Sequence, residues 1–561
     1  MKEKLLNIYN KLFGYKNKDE HEFLLPEKQK TNNDRPISVL DKSQYVFTNS
    51  KVNLNYINSL YNSMINSDIK IREFTLNARG KQYNSFLVFI DGMVDSKLVN
   101  DFILNPLMLR SQSNLFDGSQ NQVVSTAISN NISIKKVKKF NLDEYILNSL
   151  VPQNDIKQKK NFKEITNEIN SGNCALFIDT LDTVFCIDVK GFKQRSVDKP
   201  NNEILIRGAQ EAFTENLRTN TSMIRRIVNN ENLIIENFKL GKITQTNCSI
   251  CYIKNIAPEE LIAEVKYRIN NLDVDSILSS GELEQLISDN NKSTLPQVIA
   301  TERPDKTSQH LMDGRVAIIL NGTPYILVVP GTFVDFLSSP EDVNLKYKFS
   351  NMLRFVRILA LTVTLLLPGL YISITNYHQE LIPTELLFAI ISSRLEVPFP
   401  VIIEILIMEV SFELIREAGL RVPSPVGPTI GIVGALILGE AAVSANIVSP
   451  ILIIIVALTG ISSFAIPDYS LGFYMRYHRF GYIILGYAAG FLGIGLGIFI
   501  NLCLLCDLKS FGAPYITGSP KADRKSMHQM LLAPIWKREN RPGFLYTDRP
   551  QSQSSISMKW K

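Results

Sequence analysis

FGYIILGYAAGFLGIGLGIFINLCLLC, residues 480–506, carries no charged side chain. A helix of roughly 20 predominantly apolar residues is long enough to cross a bilayer. The same test picks out 358–379, 422–439 and 441–467, which are also uncharged. Spans are therefore expected near 355–375, 426–446, 450–467 and 480–506. Lysine supports the division: it is frequent up to Lys348, returns at Lys509, and is absent from the 160 residues between. A compact, strongly hydrated ammonium is hard to place in hydrocarbon.

Working outward, residues 355–506 form a multi-span membrane domain of four to six spans, and what flanks it is soluble. The tail 507–561 holds ten Lys+Arg against four Asp+Glu, equal to the +6 of the whole chain. A basic flank beside a span marks the cytoplasmic side, and an even number of spans keeps it beside the N-terminal part. No aromatic-basic repeat or helix-turn-helix cue accompanies the charge, so nucleic acid is not expected as a partner.

Residues 1–51 are polar and poor in periodic apolar positions, and read as a flexible leader. From 52 to 345 the pattern is α/β. Phe86-Leu87-Val88-Phe89-Ile90 is a buried strand ending at Asp91-Gly92, and a helix follows from Ser96. Strands at 173–180 and 183–190 surround Asp182-Thr183, and strands at 315–321 and 324–329 surround Asn321-Gly322, a strong hairpin signal. A helix is expected over 207–229. The lysine- and asparagine-rich stretch 152–163 suggests a break between two subdomains near 150–172. The fold class is thus an α/β soluble domain followed by an α-helical membrane domain.

No catalytic constellation survives inspection. There is no phosphate-binding glycine loop after a strand, and Gly493-x-Gly495-x-Gly497 lies within a span, where small residues let backbones approach. Cys248-x-x-Cys251 and Cys503-x-x-Cys506 lack further soft ligands nearby, so buried reduced thiols are expected, with no metal and no cofactor. A non-enzymatic protein is expected.

The segment 398–418 stands apart. It is long enough to cross yet carries Glu404, Glu409, Glu413, Arg416 and Glu417. On a helix, Ile402, Leu406, Glu409, Glu413 and Arg416 follow one stripe, apolar at its N-terminal half and charged at its C-terminal half. A charge at bilayer depth costs roughly 2.5–3.5 kcal/mol on insertion scales, so such residues need a wet cavity or a partner. The stripe is the candidate pore lining. Interfacial anchoring and helix–helix ion pairing remain open. Glu404, on another face, and Glu440, late in a glycine-rich span, are secondary polar candidates.

Long motifs in order carry a family resemblance. They are DGMVD (91–95), RSVDKPNNEILIRGAQEAFTENLRTNTSMIRRI (195–227), TERPDK (301–306) and GTPYILVVPGTFVDFLSSPED (322–342). In the apolar part come LLPGLYISITNYHQELIPTELLFAIISSR (366–394), PFPVIIEILIMEVSFELIREAG (398–419) and PSPVGPTIGIVGALILGEAAV (423–443). Together they resemble the A subunit of GerA-type spore germination receptors over roughly 52–515. The resemblance implies a multi-pass protein of the spore inner membrane, its soluble domain facing the spore core. It further implies a transporter-like B subunit and a lipoprotein C subunit as partners. A ring of several A subunits, five by preference, would release cations when nutrient is sensed. A secondary transporter component and a non-conducting scaffold are the alternative readings.

Overall fold

The computed structural model describes residues 21, 23–26, 44–78, 81–110, 142–191, 200, 203, 205, 207–421, 439–516, 534, 536 and 540–552. Two five-stranded sheets build the N-terminal half. The first holds β1 (Ile69–Ala78), β2 (Lys81–Ile90), β3 (Ile156–Lys159), β4 (Cys174–Ile178) and β5 (Val184–Ile187), in the order β1-β2-β4-β5-β3. The second holds β6 (Leu233–Leu240), β7 (Thr246–Ile253), β8 (Ile299–Thr301), β9 (Val316–Leu320) and β10 (Ile326–Val329), in the order β6-β7-β9-β10-β8. Shifted by five, the two orders are the same, and every neighbouring pair is antiparallel. The soluble half is one architecture used twice.

Each sheet is buried on both faces, which explains strands that read as continuous apolar runs. In β2, Leu87 points to one cluster with Val99, Ile103 and Ile146. Phe86 and Val88 point to the other, against α1 (Ser50–Tyr61) and α2 (Phe162–Asn170). In the second sheet, Ile235 and Ile319 face α3 (Leu217–Ile227). Ile250 and Ile318 face α4 (Glu259–Asn270) and α5 (Ser280–Ile287). The domain is α/β in content, with the expected hairpins at β4–β5 and β9–β10. Gly322, between β9 and β10, has φ +97°, a value that costs other residues strain.

Two expectations shift. The subdomain break falls between β5 and β6, not near 150–172, because 156–159 is the edge strand β3 and 162–170 is α2. Polarity there marks an exposed edge, as edge strands require. The helix expected over 207–229 is confined to α3, since the preceding residues wrap around Arg303 at the start of α6 (Pro304–Asp313). Fully buried Arg303 donates to the carbonyls of Glu203 (3.0 Å) and Ala209 (2.7 Å) and to Asp305 (3.1 Å).

The sheets are locked to each other. Ser67 donates its N–H to the Ile235 carbonyl at 2.9 Å, and the Asn66 amide brackets Leu233 and Ile235. Arg225 of α3, with no exposed surface, grips Asp68 through Nε (3.0 Å) and Nη2 (2.9 Å).

The helical part comprises α7 (Tyr347–Tyr377), α8 (Thr384–Arg394), α9 (Val401–Arg421), α10 (Pro450–Phe464) and α11 (Tyr469–Asp507). Among the described residues, α7 and α11 are long and apolar enough to cross a membrane. Helix α7 contains the expected span 355–375. At 15 residues α10 is shorter than the span expected over 450–467, and reaches roughly 22 Å. The expected span 426–446 and its Gly427, Gly431 and Gly434 lie largely outside the described residues, which resume with helix at 439–444.

Helix α11 departs most from expectation. It is not one span but two limbs, 469–488 and 491–507, broken by Ala489 and by Gly490 at φ 58°, ψ −138°. The limbs fold back on each other: the Tyr474 hydroxyl donates to Asn501 Oδ1 at 2.9 Å. A Cβ on Gly493 would lie 2.1 Å from the Leu485 carbonyl oxygen, and one on Gly486 2.6 Å from that of Gly369 in α7. The glycines thus serve both close packing and a reversal.

Both ends of the bundle are tied to the second sheet. At the start of α7, Arg354 Nε and Arg357 Nη1 donate to buried Asp342 at 2.9 and 2.8 Å. After α11 the chain forms the pair β11 (Lys509–Ser510) and β12 (Ala513–Pro514) against the sheet. Ser510 Oγ donates to the Gln297 carbonyl (2.6 Å) and accepts from the Gly331 N–H (3.0 Å). Phe511 lies under the Arg268 guanidinium at 4.1 Å, and the Tyr515 carbonyl accepts from the Phe333 N–H at 3.0 Å. The leader joins them: Leu25 is buried and donates its N–H to the Gly512 carbonyl at 3.3 Å. So the leader, expected to be flexible over 1–51, is docked where it is described. The chain enters and leaves the bundle on the same side.

Candidate functional site in the helical bundle

The sequence of α9 sorts its residues by spacing. Val401, Glu404, Ile405, Met408 and Glu409 are buried, whereas Ile403, Ile407, Val410 and Leu414 are exposed. Two carboxylates therefore lie on the inward side of a helix that is otherwise apolar for its first three turns.

Glu409 has no exposed surface and faces Arg479, equally buried, on the first limb of α11 at 2.7 Å. The approach is off the N–H direction, so the contact is ionic and neither Glu409 oxygen accepts a hydrogen bond. One turn on, Glu413 receives three cations. Arg479 Nη2 donates at 3.1 Å, Arg476 Nη1 at 3.2 Å and Arg416 Nη1 at 3.1 Å. Arg416 also donates to Ser463 Oγ at 2.6 Å and lies over the rings of Phe412 and Phe464. Three guanidinium groups meet two carboxylates, leaving one excess positive charge in the cluster.

The stripe read from the sequence is thus split. Glu409, Glu413 and Arg416 come together against α11, whereas half-buried Ile402 and Leu406 flank the apolar cluster around Ile405, Leu452 and Ile483. Glu404 points elsewhere: its Oε2 accepts the Ser449 N–H at 3.2 Å, and Arg394 Nε stands 3.6 Å from its Oε1. Glu440 is exposed, in the helical stretch 439–444.

Arg476 and Arg479 are the members that sequence reasoning missed. A span starting at 480 left them in a loop, whereas the limb begins at Tyr469 with Asp468 as its cap, accepting the Leu471 N–H at 2.9 Å. The signal lay in the carboxylates of α9, since buried carboxylates need cations and few lie in this part of the chain. Of the cysteines, Cys248 and Cys251 are buried in the second sheet, and burial pushes the Cys248 thiol up to about 12. Cys503 and Cys506, expected to be buried, lie exposed on the outer surface of the second limb.

Against known proteins, residues 55–544 match the model of the family described as Bacillus/Clostridium GerA spore germination protein. Spore germination protein KA of Bacillus subtilis is 38% identical over 85% of this chain and 83% of its own length. The Bacillus subtilis membrane protein YfkQ, uncharacterized, is 36% identical over 94% of this chain and 95% of its own. The solved N-terminal domain of the A subunit of the Bacillus megaterium spore germinant receptor GerK3 is 28% identical, covering 52% of this chain and 98% of that one, with a TM-score of 0.36. The family match spans nearly the whole chain, and the chain belongs to the GerA family of spore germination proteins.

Proposed function

We propose that this chain is the membrane-embedded A subunit of a nutrient-responsive germination receptor, and the subunit through which cations leave the spore core. It works in the spore inner membrane with a transporter-like B subunit and a lipoprotein C subunit, in a ring of several A copies. The observation that carries the reading is the charge cluster Glu409–Glu413–Arg416–Arg476–Arg479 inside an apolar bundle. Buried charges are costly to keep for stability alone, since well-packed apolar residues often do as well. Half-buried Ile402 and Leu406 supply an apolar constriction beside it, and such constrictions gate by dewetting.

A non-conducting scaffold draws on the same cluster, because Glu409 and Arg479 already satisfy each other's charge within one chain. Thiol access separates the two. The receptor is reconstituted in proteoliposomes with Cys503→Ser and Cys506→Ser removing exposed thiols, and Leu406→Cys or Glu413→Cys added singly. Conduction along this helix predicts that a charged methanethiosulfonate reagent blocks nutrient-triggered cation flux at both positions. Flux that is unchanged by labelling at both favours the scaffold.

A further inference from the structure

A cavity of about 270 Å³ opens between the last turn of α7 and helix α8. This is the bundle end remote from the sheets, because the first turns of α7 are held at Asp342 and the helix runs away from it. Thr375, Gln379 and Arg394 are its polar lining, and Leu387, Ile390 and Ile391 its apolar walls. On α8 Leu386 and Phe388 are exposed, as is Leu395 at the edge of the cavity. Helix α8 has 11 residues, roughly 16 Å, too short to cross and suited to lie at headgroup depth.

Behind this lining, the pairing of Arg394 with Glu404 of α9 is incomplete. Arg394 Nε and Glu404 Oε1 are 3.6 Å apart, too far for a hydrogen bond, and neither has another hydrogen-bond partner. Glu404 is only 1% exposed. Two orphaned polar atoms from two helices, set in apolar surroundings, call for a polar occupant.

The geometry points to the headgroup of a zwitterionic phospholipid with a primary ammonium, its phosphate against Arg394 and its ammonium toward Glu404. The Arg394–Glu404 pair carries no net charge, so a headgroup bearing both charges matches it. A purely anionic headgroup would set a second negative charge toward Glu404. The exposed apolar side chains of α8 then lie along the acyl chains. This inference rests on the chain being membrane-embedded and is independent of whether it conducts ions.

The test is thermal unfolding of the full-length chain, delipidated in detergent, with phosphatidylethanolamine, phosphatidylcholine, phosphatidylglycerol or water-soluble O-phosphoethanolamine added. Phosphatidylethanolamine is expected to raise the Tm by about 2–4 °C and the others by less than half of that. Arg394→Gln and Glu404→Gln should each abolish the difference. Equal protection by phosphatidylglycerol or phosphatidylcholine, or a preference that survives both variants, overturns the assignment. Equal protection by O-phosphoethanolamine overturns it in favour of a free small molecule. Should the variants not fold, native mass spectrometry of the wild-type chain in an equimolar lipid mixture decides. Retained phosphatidylethanolamine supports the site, and retention without preference refutes it.

Discussion

Glu409 of α9 and Arg479 of α11 face each other at 2.7 Å with no surface exposed, yet their polar atoms are not equally provided for. Arg479 also donates to Glu413 at 3.1 Å, whereas Glu409 accepts no hydrogen bond. The two halves of the pair therefore depend on each other unequally. Arg479→Gln should destabilise by about 3–5 kcal/mol, because it strands a buried carboxylate. Glu409→Gln should cost clearly less, since Arg479 keeps Glu413. Thermal unfolding of the detergent-solubilised chain reads both, and the reverse ranking would show that Glu409 has another cation.

The reversal inside α11 makes a second prediction. Gly490 sits at φ 58°, ψ −138°, a region that costs other residues about 1–3 kcal/mol, and a Cβ on Gly493 would collide with the Leu485 carbonyl. A Cβ on Gly495 meets nothing within 4 Å. Gly490→Ala and Gly493→Ala should lower the amount of chain recovered from membranes, and Gly495→Ala should not. Equal recovery of all three would mean that the limbs do not fold back on one another.

These residues also show how far the sequence can be read. The soluble half and the apolar half, the hairpins at β4–β5 and β9–β10, and the unusual polarity of α9 were all legible, because each follows from local periodicity or turn chemistry. The turn at Ala489-Gly490 was not. Nothing polar marks it, and hydropathy is the same on both sides of a reversal as along a continuous helix. The duplicated sheet was hidden for another reason: antiparallel order is set by pairing between strands far apart in the chain. Arg476 and Arg479 were visible as residues but assigned to a loop, since a charge at the end of an apolar run looks like the end of a span.

The return of the chain to the second sheet predicts a stability effect at a distance. Phe511 is 1% exposed, in one cluster with Leu25 and Leu545. Phe511→Ala should cost about 3–5 kcal/mol. A fragment of residues 52–345 should be soluble and α/β by circular dichroism. Adding a peptide of residues 507–516 should raise its Tm. No change on adding the peptide would show that the docked segment contributes nothing to the sheet.

His310 gives a pH dependence. Burial, reinforced by the nearby Arg315 guanidinium, holds its imidazole down at about 3 against an ordinary 6.5. In the unfolded chain His310 takes up a proton near pH 6.5, whereas the folded chain refuses it. Its stabilising contribution is therefore complete above about pH 6.5 and lost as pH falls toward 3, at up to ~1.4 kcal/mol per pH unit. In the same soluble fragment, His310→Asn should flatten that slope. An unchanged slope would place the acid sensitivity in other groups.

Conduction along α9 is tested most directly by potassium release from spores carrying single substitutions, with protein level checked by immunoblot. Leu406→Ala should widen the apolar constriction and give potassium release without nutrient. Glu413→Gln removes the carboxylate that gathers Arg416, Arg476 and Arg479, and should slow nutrient-triggered release several-fold while the chain still accumulates. Glu404→Gln, on the face toward Ser449, should leave release dependent on nutrient. If Leu406→Ala and Glu413→Gln spores release potassium at wild-type rates and only with nutrient, at normal protein level, ions do not pass along this helix.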